Sequence, residues 1–414
     1  MIRKIYIKKK DGELSKIIRD PLYINSFFLI LTTLFSDGFG YIFWLLAAKY
    51  YSQTELGIAA ALLSSMGLIL LLSRFGLDSS LIRFFPERDK SKIFNTSIIT
   101  SLGLALFLGF IFVSGVDIWA QELEILKSPQ GILYILILAA GTISSFTAVA
   151  LIAIRETKIR LIQSIIIGSR VIFLIPLSFL GALGIFSSVG LSLVFSAFFA
   201  LIFLRTVGIF PKIEFDKTFM RDSITYTTKN HICNILIIAP NFVLPILTLS
   251  ALGPDETAQY YVSFIIASAL FIIPNSISTS LFVEGSYGKS IRKSVLMSFF
   301  AILLILTPLV IFFWFAGSWI LNTLDEEYGQ SIELLRLIVV SSYFVTIFSL
   351  YASIRRIQKK MGMLTAISLV LFLMIMILSV LFMPLMGVNG LGYAWLVSYF
   401  TISIIILLDL AKEI

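Results

Sequence analysis

Long apolar runs separated by short polar segments dominate the chain, and period-two alternation is missing. The stretches from Ile132 to Ile154 and from Met363 to Met383 carry no charged residue. A helix needs roughly 20 apolar residues to cross about 30 Å of hydrocarbon, whereas a membrane β-strand alternates over about ten. The runs predict twelve transmembrane helices, at 24–48, 56–77, 94–116, 131–154, 162–183, 186–206, 225–251, 258–282, 294–321, 332–354, 363–384 and 388–410. The expected fold class is an all-α integral membrane protein.

The polar segments orient these helices. The even-numbered gaps and both termini hold 27 of the 32 Lys and Arg residues, while the odd-numbered gaps hold only Lys49 and Lys127. Basic residues stay on the cytoplasmic side, so both termini are expected in the cytoplasm of a plasma-membrane protein. Acidic residues such as Asp117, Asp255, Asp325 and Glu326 fall on the opposite side.

Composition agrees with this reading. The chain is 58% hydrophobic and 14% charged, against about 45–50% and about 25% in soluble proteins. One Cys and one His exclude a disulfide framework and a Cys/His metal site, and no metal or cofactor is expected. The net charge of +8 reads as topology, with the basic tail suited to anionic lipid, and no nucleic-acid module is visible.

The halves resemble each other at an offset near 200. Gln53-Thr54-Glu55-Leu56-Gly57 is similar to Pro254-Asp255-Glu256-Thr257-Ala258, Ile154-Arg155 to Ile354-Arg355, and Gly190 and Ser196 to Gly392 and Ser398. An even number of helices per repeat gives both halves one orientation, with the pseudo-twofold along the membrane normal. The expected divisions are a basic cytoplasmic tail (1–23), a six-helix bundle (24–206), a cytoplasmic linker (207–224) and a second six-helix bundle (225–414).

Tyr51-Ser52-Gln53-Thr54-Glu55-Leu56-Gly57-Ile58, Arg74-Phe75-Gly76-Leu77-Asp78, Leu81 to Glu87, Asp325 to Ser331 and Gly387 to Ala394 together resemble the polysaccharide-biosynthesis transporters. These are the O-antigen (Wzx-type) flippases of the multidrug/oligosaccharidyl-lipid/polysaccharide exporter superfamily. The resemblance implies two six-helix bundles forming a V around a central cavity, alternating access, and movement of a lipid-linked oligosaccharide between leaflets. Implied partners are a polyprenyl-diphosphate-linked glycan, membrane lipids, a coupling H+ or Na+, and glycan-assembly proteins.

Charges in lipid are costly and therefore mark candidate sites. Asp37 lies in mid-span beside Gly38 and Gly40, where it suits either ion coupling or a structural pairing. Arg170, with Gln163 seven residues earlier, suits either a pyrophosphate or a salt bridge to Asp37. Lys229, Asn230, His231, Asn234 and Asn241 form a polar run bent by Pro240 and Pro245; Lys229 also reads as a snorkelling lysine, and His231 as a simple hydrogen-bonding neighbour. Arg74 and Arg83 read as a cationic mouth or as topology anchors. A local ion pair is expected between Arg336 and Glu333, and Trp44, Tyr50, Tyr51, Trp314 and Trp319 read as interfacial belt residues.

Gly285 to Ser290 ends like a P-loop but lacks the upstream glycine spacing, and no catalytic constellation is visible. The chain therefore reads as a flippase rather than an enzyme. The alternative is a cation-coupled drug or metabolite exporter of the same superfamily, which predicts a more acidic cavity. A membrane-embedded enzyme would need a long outer loop, and none is seen. The topology predicts a labelling pattern: with Cys233 changed to Ser, single cysteines at Ser128 or Asp325 react with an impermeant maleimide outside intact cells, and cysteines at Arg88 or Lys359 do not. The reverse pattern inverts the orientation.

Overall fold

Each apolar run is helical in the computed structural model, which describes residues 21–286 and 291–411. The first half comprises α1 (Pro21–Tyr50), α2 (Gln53–Ser73), α3 (Leu77–Phe84), α4 (Lys90–Ser114), α5 (Gln130–Ala153), α6 (Thr157–Gly168), α7 (Arg170–Leu174) and α8 (Ala182–Thr206). The second comprises α9 (Lys217–Leu252), α10 (Pro254–Ser268), α11 (Ile272–Ser286), α12 (Ile291–Leu324), α13 (Ile332–Ile357), α14 (Met361–Met386) and α15 (Asn389–Ala411). The basic tail lies outside the described residues up to Asp20.

Among the described residues, eleven helical stretches are long and apolar enough to span a membrane. The other crossing is broken: α6 and α7 meet at Ser169, whose Oγ donates to the Ile166 carbonyl at 2.6 Å. Together they cover 157–174, about 27 Å at 1.5 Å per residue. A Cβ on Gly168 would fall 2.5 Å from the Phe39 ring, so α1 runs against this point.

The helices begin where polar side chains satisfy otherwise orphaned N–H groups. Ser52 and Glu55 form a reciprocal capping box at α2, and Asp89 and Asp216 accept from Lys92 N and Phe219 N at 2.9 Å each.

The duplication is visible in backbone geometry. A 3-10 segment precedes α5 (Gln121–Lys127) and another precedes α13 (Glu326–Ser331). The turn after α5 puts Arg155 at φ 65°, and the turn after α13 puts Lys359 at φ 58°. Gly181 before α8 has φ 57° and ψ −135°, and Gly387 before α15 has φ 57° and ψ −141°. The sequence matches are therefore corrected in register. Arg155 corresponds to Lys359 rather than Arg355, and Gly181 to Gly387, which puts Gly190 and Ser196 out of register with Gly392 and Ser398, because the offset grows from 201 at the start of α2 and α10 to 204 and then 206 through longer connections.

That shift frees Arg355 from the topology count. Its side chain is 0% exposed and pairs with Asp409 on α15. Tyr351 donates to the same carboxylate at 2.8 Å, and Arg355 donates to Gln358 at 2.7 Å.

The halves meet on both sides of the membrane. On the acidic side α2 abuts α10: a Cβ on Gly57 would lie 1.9 Å from the Pro254 carbonyl oxygen, and Thr54 donates to Asp255 at 2.6 Å. On the basic side α9 lies along α2 and α3. A Cβ on Gly67 would strike the Phe242 ring and one on Gly76 the Thr227 hydroxyl, and Arg88 pairs with Asp222.

Two expectations follow. Asp409→Ala strands the Arg355 guanidinium and costs about 3–5 kcal/mol, read as a lower unfolding temperature in detergent; wild-type melting would show that the pair is not structural. In a Cys233→Ser background, Thr54→Cys with Asp255→Cys crosslinks readily on oxidation. Adding Gly57→Val suppresses the crosslink by forcing α2 from α10, and undiminished crosslinking would refute the close approach.

Candidate functional site

Two helical stripes of the same spacing build a cavity between the lobes. On α1, Asp37, Tyr41 and Trp44 sit at i, i+4 and i+7; on α10, Tyr261, Ile265 and Ser268 do the same, and all six line one cavity of about 290 Å³ together with Arg170 of α7. Trp44 and Tyr261 pack with ring centroids 4.4 Å apart, joining the lobes by aromatic contact.

Arg170 reaches this cavity because Gly40 leaves room. A Cβ at Gly40 would come within 3.2 Å of the Arg170 Nη2. The guanidinium lies over the Phe43 ring at 5.1 Å, a cation–π contact. Its Nε is buried with no hydrogen-bond partner, and among the described residues it forms no ion pair. The expected salt bridge to Asp37 is therefore not made. Asp37 is exposed on the same cavity wall, so the cavity carries one positive and one negative group whose charges are not neutralised by each other.

The remaining candidates divide. Arg74, Asn230, His231 and Asn234 line a second cavity of about 70 Å³ with Asp78 and Thr227, room for a few waters and not for a glycan. There the Arg74 Nε and the His231 Nε2 are buried without a hydrogen-bond partner. Asn241 is exposed and lines neither cavity, since seven further residues carry it about 10 Å beyond Asn234. The Lys229 side chain lies outside the described residues. Arg83 points elsewhere and pairs with Glu87 one turn on.

Gln163 is corrected from cavity wall to internal tie. It is wholly buried and donates to Ser144 O at 3.2 Å and Thr147 Oγ1 at 3.0 Å, holding α6 to α5. Its amide is bound to α5 rather than turned to the cavity that Arg170 lines. Arg336 is also corrected. It donates to Trp314 O at 3.3 Å and stacks over that indole, while Glu333 accepts from Asn389 at 3.0 Å and Tyr393 at 2.7 Å.

Two belt assignments fail too. Trp44 is a cavity wall, and Tyr51 is buried with its hydroxyl donating to Leu174 O at 2.5 Å. Burial, with Glu55 nearby, pushes the Tyr51 phenol up to about 12, so it remains a neutral donor. Trp319, at 69% exposed, does face outward. The sequence signal for Trp44 and Tyr41 was present in their helical spacing from Asp37; nothing local marked Tyr261.

No family profile matches the chain, and no curated protein does. Solved structures do match. The lipid II flippase MurJ, in an inward closed conformation, aligns at 16% identity over 93% of this chain and 87% of its own, with a TM-score of 0.73. An outward-facing multidrug resistance MATE family transporter of the MOP superfamily aligns at 14% identity over 95% and 93%, with a TM-score of 0.61. A MOP superfamily transporter from Pyrococcus furiosus, described as having a binding pocket of reversed polarity, gives 14% identity, 95% and 93% coverage, and a TM-score of 0.57. The chain has the two-lobed, twelve-helix fold of MurJ and the MATE transporters.

Proposed function

We propose that this chain is a flippase of the MOP superfamily that moves a polyprenyl-diphosphate-linked saccharide from the cytoplasmic to the outer leaflet of the plasma membrane. The reading rests chiefly on Arg170, a cation without an ion-pair partner among the described residues, in a cavity walled by both lobes. An arginine held there suits a ligand that brings its own negative charge, because leaving the guanidinium unpaired in a low-dielectric site is costly. A diphosphate accepts its planar fork through charge-assisted bonds.

Trp44 and Tyr261, packed together across the lobes, supply the aromatic part of the wall that the first sugar meets. Rocking of the lobes would then open the cavity alternately through the α2–α10 seam and the α9 seam, with the lipid tail remaining in the bilayer. Arg74, Asn230, His231 and Asn234 join the path when the basic-side seam parts. The likeness to MurJ, a lipid II flippase, is in keeping with a lipid-linked substrate.

Asp37 favours a second reading. An exposed carboxylate with no ion pair among the described residues, on the wall of the same cavity, suits H+ or Na+ coupling, and it also suits a cation-coupled exporter of the MATE kind. Reconstitution separates the two. Proteoliposomes carrying the wild type translocate a fluorescent polyprenyl-diphosphate sugar. Arg170→Ala reduces the rate about tenfold or more, since a charge-assisted bond contributes about 1.5–3 kcal/mol. Asp37→Asn abolishes the response to an imposed ion gradient. Efflux of small organic cations with no lipid movement would overturn the flippase reading.

A further inference from the structure

The connection between the halves is an extended strap fastened along one face of α4. Ser91 Oγ donates to Gly208 O at 3.2 Å and accepts from Phe210 N at 3.3 Å. Asn95 donates to Phe210 O at 3.0 Å and accepts from Lys212 N at 3.1 Å. Thr96 Oγ1 accepts from Asp216 N at 2.9 Å. The two Asn95 bonds bracket Pro211, whose φ is fixed by its ring, so the position of Lys212 is set by the fold.

Beneath Lys212 lies a cavity of about 260 Å³. Phe94, Ile98 and Ile99 of α4, Ile143 of α5 and Leu201 of α8 form its apolar walls, and Asn95 with Pro211, Lys212 and Ile213 of the strap lines its basic-side end. It runs inward to Ile143, ten residues from the end of α5, or about 15 Å of helix. Its walls come only from the first half and the strap, and it shares no residue with the inter-lobe cavity. The flanking α8 surface presents Phe198 and Ile202 outward, so the cavity sits on the face turned to lipid.

The strap itself is apolar and basic at once. Ile213 is 97% exposed, and Phe210 and Phe215 are also exposed. Lys90 and Lys92 flank Ser91, and Arg205 precedes the strap. Asp89 and Asp216 are occupied as helix caps, leaving Glu214 as the remaining nearby acid. Exposed apolar side chains on a basic segment at the ends of membrane helices belong in the headgroup region.

We propose that this cavity is a binding site for an anionic phospholipid, with one acyl chain between α4, α5 and α8 and the phosphate at Lys212. Charge complementarity selects the headgroup, and the apolar depth selects the chain. The strap thereby pins the first half to the leaflet on the basic side while the second half moves. The assignment is independent of the transported substrate.

Native mass spectrometry of the delipidated full-length protein tests this without a transport assay, titrating phosphatidylglycerol against phosphatidylcholine. Wild type binds one phosphatidylglycerol in preference to phosphatidylcholine. Lys212→Glu lowers that preference about fivefold or more, and Lys212→Arg keeps it. Ile143→Trp, or Ile99→Trp should the first variant lose its helical fold, weakens binding of both lipids by filling the cavity. Wild-type binding in Lys212→Glu and in the folded Trp variant overturns the proposal. So does equal competition by inorganic phosphate, which would mean a phosphate site with no use for the chain.

Discussion

The contact between Gly57 and the Pro254 backbone sets the terms for the rest of the molecule. Lipid tails are as apolar as leucine, so helices in a membrane gain little from hydrophobic burial and associate through close packing and polar contacts. With no side chain at Gly57, α2 and α10 approach backbone to backbone, and Thr54 and Asp255 add a hydrogen bond across the same seam. Gly67 and Gly76 leave room instead for side chains of α9, the Phe242 ring and Thr227. The lobes are thus held by small residues, an aromatic contact and a few polar atoms.

Charge placement sets apart two kinds of arginine. Arg355 is enclosed and pairs with Asp409 and Gln358, so much of its cost of desolvation is offset within one lobe. Arg170 sits between the lobes with an aromatic ring beneath it and no carboxylate paired to it among the described residues. The same residue type therefore ties α13 to α15 in one place and waits on a cavity wall in the other. Asp37 and Asp409 show the matching contrast among the acids.

Much of the candidate site was legible because helical spacing is a local property. Asp37 and Arg170 stood out as charges deep in apolar runs, and the asparagines at 230 and 234 as neighbours on one face, and the fold brings each pair to a common cavity. Other readings failed where a local rule met a distant contact. Gln163 was tied to Arg170 by spacing, but its amide bonds to Ser144 and Thr147 of α5. Arg336 had Glu333 one turn away, yet that carboxylate bonds to Asn389 and Tyr393 of α15. Trp44 looked interfacial until Tyr261, more than 200 residues on, was seen to cover it.

The sequence by itself determined that the chain lives in a membrane, how many times it crosses and which side of each loop is basic, because solvation in lipid acts residue by residue. It also carried the internal duplication, though not its register, since connections of unequal length shift the offset without altering the helices. Tertiary structure alone decided which charges are satisfied, where crossing five breaks, and which side chains share a cavity. Those outcomes depend on the approach of helices far apart in the chain, and no periodicity within a single helix records its neighbour.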